Sequence, residues 1–370
     1  MNGLKRFWMY AVLAGSVCLC GCDNVGGEEE EEFDVAGDGV FVLNEGNLNA
    51  GNSTLSYYNP ETREVENGVF HRANDRKLGD TGQSIAVRDG MAYLAMENSG
   101  VIWGIDVRTF KVRGQLLTKG TKIIHPRHIH FVDDTTAYVT DLISPYVNIF
   151  NPKTFVYRGA IPTGQKALNG HSSTEEMVQR GKYVFTNCWS YNDKILVIDT
   201  EKHAVCDSIC LDSPQPKSMK LDRNGKIWVI TDGGYSTDGG SFGDNIPCLF
   251  RIDADTRKIE QKQALDADEA NVQIALNGWG DTLYLINNDI YCMAVTDTHL
   301  PVRPFIEAKK DADGKRHKLY GLSINPVSSE LYVADAVDYS QAGVVYRYSA
   351  DGKPVHEFRV GINPRALAFK

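Results

Sequence analysis

Two glutamates occupy matching places in the chain. Glu45 follows Phe41-Val42-Leu43-Asn44, and Glu97 follows Tyr93-Leu94-Ala95-Met96. Paired carboxylates can do acid–base work or hold a metal. With Asn44, Asn287 and Asp335, which close equivalent stretches, they would suit a metal-dependent, lactonase-like hydrolase, although the full ligand set is missing. His125, His128 and His130 suggest a second metal reading. His128 and His130 are two residues apart, however, so they share one face of a strand and fit packed or channel-lining histidines better. Asp232 and the glycines at 233, 234, 239 and 240 lack the Asp/Asn ladder and terminal Glu of a calcium loop. Gly-x-Ser-x-Gly and phosphate-cradling glycine loops are also missing. These features point away from an enzyme. No catalytic residue, metal or cofactor is expected, and the hydrolase is the alternative reading.

Ligand-holding chemistry is more abundant. Tyr and Trp give stiff contact area with a polar tip, while Asn, Gln and Gly give adaptable hydrogen bonding. Both kinds collect in short segments between apolar runs, as in Asn44 to Asn49, Asn187 to Asn192, Asp232 to Pro247 and Asp335 to Gln341. The expected ligand-binding set is Asn44, Glu45, Asn98, Arg127, His128, Asp141, Trp189, Tyr191, Tyr235, Tyr320, Asp335, Tyr339 and Arg365. Any one of them could equally be a solvated loop tip or pack on its neighbours.

The elements that must position these residues recur along the chain. An aromatic residue, two or three β-formers and a polar residue begin at Phe41, Tyr93, Tyr138, Tyr183, Trp228, Tyr284 and Tyr332, at spacings of 52, 45, 45, 45, 56 and 48. Repeats of roughly 40–50 residues holding several short strands indicate a β-propeller. The expected fold is all-β: seven four-stranded blades over residues 38–370. A short apolar strand precedes each aromatic strand except the first, and Asn363 to Phe369 matches that pattern with no unit after it. The last strand should therefore complete the first blade and close the ring, leaving no free sheet edge. In a propeller, the loops between second and third strands open on the same face as the links between blades, so the candidate residues should share one face.

The first 21 residues read as a signal: Lys5 and Arg6, an apolar run from Phe7 to Leu19, then Leu19-Cys20-Gly21-Cys22. The apolar run is short for a membrane span. The motif resembles a bacterial lipobox, which implies lipidation of Cys22. Residues 22–37 carry five consecutive glutamates, Glu28 to Glu32. Such a run repels itself and buries nothing, so a disordered tether is expected. The formal charge of −9 resides mostly in this tether. A near-neutral body lacks the basic face that nucleic-acid binding requires. Five cysteines remain: Cys188, Cys206, Cys210, Cys248 and Cys292. Mostly reduced, buried thiols are expected, with a local Cys206–Cys210 bridge as the alternative.

The combination of lipobox, acidic export-type tether and YncE-like propeller resembles the surface cobalamin-binding lipoproteins of Bacteroidetes called BtuG. Its most suggestive stretches are Phe41 to Asn47, Pro126-Arg127-His128 and Asn363-Pro364-Arg365-Ala366. The Asn-Glu-Gly opening is shared with a wider set of surface propellers. The resemblance implies a lipid-anchored protein exposed on the outer membrane. Such a protein captures cobalamin or related corrinoids and passes them to a TonB-dependent transporter. Cobalamin would be a bound ligand there, not a cofactor.

Overall fold

The computed structural model describes residues 30–164, 173–234, 246–265 and 271–370. Cys22 and Tyr235 lie outside the described residues. Three strands open the first blade, β1 (Val40–Asn44), β2 (Thr54–Tyr58) and β3 (Val65–Glu66), and helix α1 (Val69–Asn74) leads out of it. The second blade is β4 (Gly82–Arg88), β5 (Met91–Met96), β6 (Val101–Asp106) and β7 (Val112–Leu117). The third is β8 (Pro126–Phe131), β9 (Ala137–Asp141), β10 (Tyr146–Phe150) and β11 (Tyr157–Pro162). The fourth is β12 (Thr174–Arg180), β13 (Tyr183–Cys188), β14 (Lys194–Asp199) and β15 (Ala204–Cys210). The fifth is β16 (Pro216–Leu221), β17 (Lys226–Thr231), β18 (Cys248–Asp253) and β19 (Ile259–Ala264). The sixth has β20 (Gln273–Leu276), β21 (Thr282–Asn287) and β22 (Asp289–Ala294). The seventh is β23 (Leu319–Ile324), β24 (Leu331–Asp335), β25 (Ala342–Tyr348) and β26 (Pro354–Ile362), and β27 (Pro364–Phe369) ends the chain.

Each blade is an antiparallel meander, and the innermost strands β27, β4, β8, β12, β16, β20 and β23 touch in cyclic order. The fold is the expected seven-bladed β-propeller. Closure also follows the expectation: β27 pairs with β1, with Val40 opposite Phe369 and Leu43 opposite Ala366. The sixth blade departs from the pattern. It has three full strands, and its outer position is marked only by the bridge between Ile290 and Ile306.

Alternation within the strands explains why the ring holds. In β17, Ile227 and Val229 face the fourth blade, whereas Trp228 and Ile230 face the sixth. Successive side chains point to opposite sheet faces, so every blade feeds two interfaces. Seven buried apolar clusters result, one per blade interface. The cluster joining Val40, Val42 and Tyr58 to Tyr332, Val345 and Phe358 seals the first blade to the last.

The tether expectation needs correction over residues 30–37. Phe33 packs edge-on against Phe110, with ring centroids 5.0 Å apart, and lies under the Arg72 guanidinium. Glu31 accepts a fork of two 2.7 Å hydrogen bonds from Arg72. Asp34 pairs with Arg108, Glu30 with Lys111, and Lys370 donates to the Val35 carbonyl. The acidic run therefore finds basic partners that were invisible one stretch at a time. The strap lies at the Val40/Phe369 end of the first blade, opposite Asn44 and Pro364.

All five cysteines are free, and Cys206 and Cys210 are exposed, not buried. They stand four residues apart on β15, roughly 13 Å at strand rise, which is too far for a bridge.

Candidate functional site

Six of the seven innermost strands begin with a break in register against the second strand. It falls between Gly82 and Ser84, Pro126 and Ile129, Thr174 and Met177, Pro216 and Ser218, and Leu319 and Gly321. In the first blade it falls opposite Leu43/Asn44, where Arg365 is the extra residue. A bulge places an extra residue on one strand and re-aims its side chain. Here the extra residues are Gln83, Arg127 with His128, Glu175 with Glu176, Lys217, Tyr320 and Arg365, and all of them line one cavity of about 640 Å³. Glu45, Glu97 and Trp189 also line it.

The charged groups of the cavity largely neutralise one another. Arg127 donates from Nε to both oxygens of Glu175, at 3.0 and 2.9 Å, and from Nη1 to Glu97. His128 lies 3.5 Å from Glu175 and His125 3.6 Å from Glu97. Across the ring, Tyr320 donates to Glu45 at 2.5 Å, and Arg365 reaches both Glu45 (3.3 Å) and the Tyr320 hydroxyl (3.2 Å). Trp189 donates to Asp232 at 2.7 Å, and the Arg127 guanidinium lies over its ring.

Burial and pairing set the charge states. Burial pushes the Glu175 carboxyl up, but the Arg127 charge and the His128 contact outweigh it and hold the group at about 2. Glu97 is likewise lowered, burial being outweighed by Arg127 and His125. The Glu97 carboxylate beside it raises His125. Burial dominates at Lys217 and brings its ammonium down to about 8. Gln83 is almost wholly buried, and its Oε1 meets no donor among the described residues. A buried acceptor left unmet costs about 1–3 kcal/mol, which a ligand donor would relieve.

The expected site residues among those described fall in several places. Glu45, Arg127, His128, Trp189, Tyr320 and Arg365 meet in the cavity. Asn98 and Tyr339 adjoin lining residues: Asn98 follows Glu97 and bonds Asn49 and Asp80, and the Tyr339 ring meets Tyr320 edge-on at 5.7 Å. Tyr191 is half-buried in the loop after β13, with a left-handed backbone.

Asn44, Asp141 and Asp335 need correction, because all three are fully buried and serve the scaffold. Asn44 Nδ2 donates to the hydroxyls of Thr54 and Ser56. Asp141 accepts four backbone N–H groups, from Ile124, His125, Ile143 and Ser144. Asp335 accepts from His317 Nδ1 at 2.6 Å and from the Tyr346 hydroxyl at 3.0 Å.

Gln83, Glu175, Glu176 and Lys217 were missed as ligand-facing residues. A signal existed in the dipeptides Pro126-Arg127, Pro216-Lys217 and Pro364-Arg365, which open three equivalent inner strands.

The two glutamates behind the hydrolase alternative are each engaged by other side chains. Glu45 is held by Tyr320 and Arg365, and Glu97 by Arg127. Among the described residues, no three His, Cys, Asp or Glu side chains are grouped as metal ligands.

A family model described as "Domain of unknown function (DUF5074)" matches residues 38–364. No curated protein matches the sequence. Among solved structures, a quinonprotein alcohol dehydrogenase-like protein from Bacteroides thetaiotaomicron is similar. It is 17% identical with a TM-score of 0.64, over 89% of this chain and 77% of that one. Hydrazine synthase of Kuenenia stuttgartiensis is 14% identical with a TM-score of 0.62, over 77% and 88%. The β-propeller domain of a Swd1 protein from Myceliophteria thermophila is 13% identical with a TM-score of 0.58, over 81% and 91%. At such identities the likeness is one of fold alone.

Proposed function

The chain belongs to the DUF5074 family, which has no assigned activity, and from that premise we propose that it is a ligand-capturing surface protein whose site is the open end of the propeller channel. The observation that carries this reading is the ring of bulges. Six strands spend a register break each to aim hydrogen-bonding side chains into one cavity. A volume of about 640 Å³ falls within the usual range for ligand pockets, roughly 300–1,000 Å³. The carboxylates there are committed to arginines, a tyrosine and Lys220, which favours holding a ligand over cleaving one.

The ligand we favour is cobalamin or a related corrinoid, on the resemblance of residues 41–47, 126–128 and 363–366. One edge of the ring and its amide arms would meet Gln83, Arg127 and Lys217. The flat faces of Trp189 and Tyr320, with Asn98, Tyr191 and Tyr339 from the expected set, would cover the rest. On the same reading the protein is anchored at a lipidated Cys22 to the outer-membrane surface and delivers its ligand to a TonB-dependent transporter. Titration calorimetry with cyanocobalamin tests the ligand. Saturable binding at micromolar protein is expected, weakened at least tenfold in Trp189→Ala. No heat at that concentration sinks the corrinoid reading.

A further inference from the structure

The channel has a second mouth. A cavity of about 650 Å³ lies at the far ends of the inner strands, where Gln179, Leu221, Leu276, Ile324 and Phe369 line it. The main cavity sits at the starts of those strands, and Lys220, Leu322, Ser323 and Leu367 line both. The second mouth is at the strap end of the propeller, where Phe369 lies opposite Val40. Trp279, in the turn between β20 and β21, forms part of its wall. Tryptophan is ordinarily well buried, yet this indole is 73% exposed.

The turn that carries Trp279 is braced on both sides. The Arg223 N–H donates to the Gly280 carbonyl at 3.0 Å. On the other side a Cβ on Gly278 would collide with the Pro326 carbonyl, so the turn abuts its neighbour between β23 and β24. Within the turn, Asn277 Oδ1 accepts from the N–H groups of Asp281 and Thr282, at 3.1 and 3.2 Å. Gly280 supplies the left-handed backbone, with φ 64°. A fixed backbone under an exposed indole presents a flat apolar plate that loses little further freedom on binding.

The polar groups beside the plate are balanced in charge. Arg223 donates to Asp281 at 2.9 Å, and both side chains reach solvent. Asn277 Nδ2 donates to Asp281 as well, at 2.8 Å. The lining cations Lys220 and Arg223 thus have carboxylate partners in Glu176 and Asp281, which disfavours an anionic ligand. A hydroxyl both donates and accepts, so vicinal hydroxyls can use both members of the Arg223–Asp281 pair. The volume is that of a small-ligand pocket.

We propose that this second mouth binds a pyranose sugar, independently of what the main cavity holds. One face of such a ring carries mainly C–H groups and lies on the Trp279 indole. The hydroxyls at its edge reach Arg223, Asp281 and Asn277.

Calorimetric titration of the full chain with the methyl glycosides of glucose, galactose, mannose and N-acetylglucosamine tests the proposal. At least one should bind saturably at millimolar sugar. Its affinity should fall at least tenfold in Trp279→Ala and less in Trp279→Phe, which keeps a ring face. The position is exposed, so neither variant should move the thermal midpoint. The disaccharide of whichever sugar binds distinguishes the sources. Tighter binding assigns the mouth to a glycan chain, and equal or weaker binding assigns it to a single free sugar. The proposal is overturned if none of the four sugars binds, or if Trp279→Ala binds as the parent does. Displacement of the sugar by cyanocobalamin also overturns it, because the sugar would then occupy the main cavity. A dimer that Trp279→Ala dissolves, without sugar binding, would give the plate to a second copy of the chain instead. Cyanocobalamin titration of Trp279→Ala remains a separate readout, so failure here leaves the main-cavity reading standing.

Discussion

At the scale of single residues, the cavity depends on Arg127. It is 5% exposed and neutralises both Glu97 and Glu175. Removing one member of a buried ion set leaves uncompensated charge and costs about 3–5 kcal/mol. Arg127→Met should therefore lower the denaturation free energy by that much. Adding Glu97→Gln and Glu175→Gln should recover most of it. Urea unfolding of the single and triple variants checks both statements. Glu175 also sets an acid limb. Its folded carboxyl sits at about 2 against an ordinary 4.5. A depressed pKa gives stability that is complete above the unfolded value and lost as pH falls through the folded one. Stability should therefore decline between about pH 4.5 and 2, and Glu175→Gln should flatten that decline in acid titrations followed by fluorescence. The sequence makes half of this site legible. Arg127, Tyr320 and Arg365 stand out as polar residues at strand starts. Glu175 and Lys217 do not, because nothing in a linear pattern reveals which residue of a bulge is turned inward. Asn44, Asp141 and Asp335 mislead for the opposite reason: they end strands, where a short polar side chain is useful for tying turns.

At the scale of the element, the informative unit is the inner strand with its bulge. Neighbouring inner strands approach so closely that side chains are excluded at some points. A Cβ on Gly321 would lie 2.6 Å from the Arg365 carbonyl oxygen. Gly321→Ala should force β23 and β27 apart and cost about 2 kcal/mol or more. A drop in thermal midpoint with weakened ligand binding would register it, since Tyr320 and Arg365 would separate together. The strands themselves were readable, because alternation and aromatic starts recur in every blade. The weak outer edge of the sixth blade was not readable. The segment after β22 pairs with the blade only at Ile290, through Phe305 and Ile306, while the Phe305 and Ala308 side chains pack on the blade. Burial with so little pairing has no period in sequence.

At the scale of the whole molecule, closure is carried by the last eight residues. Deleting Asn363 to Lys370 removes the inner strand of the first blade, the Arg365 partner of Glu45 and the strand that pairs with β1's inner edge. Such a chain should unfold or aggregate, as size-exclusion chromatography and circular dichroism would show. A monomer of unchanged stability would refute the ring. Closure was legible because both ends of the chain are incomplete in complementary ways. The strap of residues 30–37 was not, because its partners Arg72, Arg108, Lys111 and Lys370 come from three separate regions. That strap gives the molecule a fore and an aft. It lies at the Val40/Phe369 end, and the charged cavity opens past Glu45 and Arg365 at the other. If the proposed anchor at Cys22 holds, the molecule is tied at its strap end, and the eight positions 22–29 can span at most roughly 28 Å. On that proposal the cavity faces away from the anchor. Delivery to a channel in the same membrane would then require the propeller to turn on that short line, so shortening residues 22–29 should leave capture intact and slow transfer.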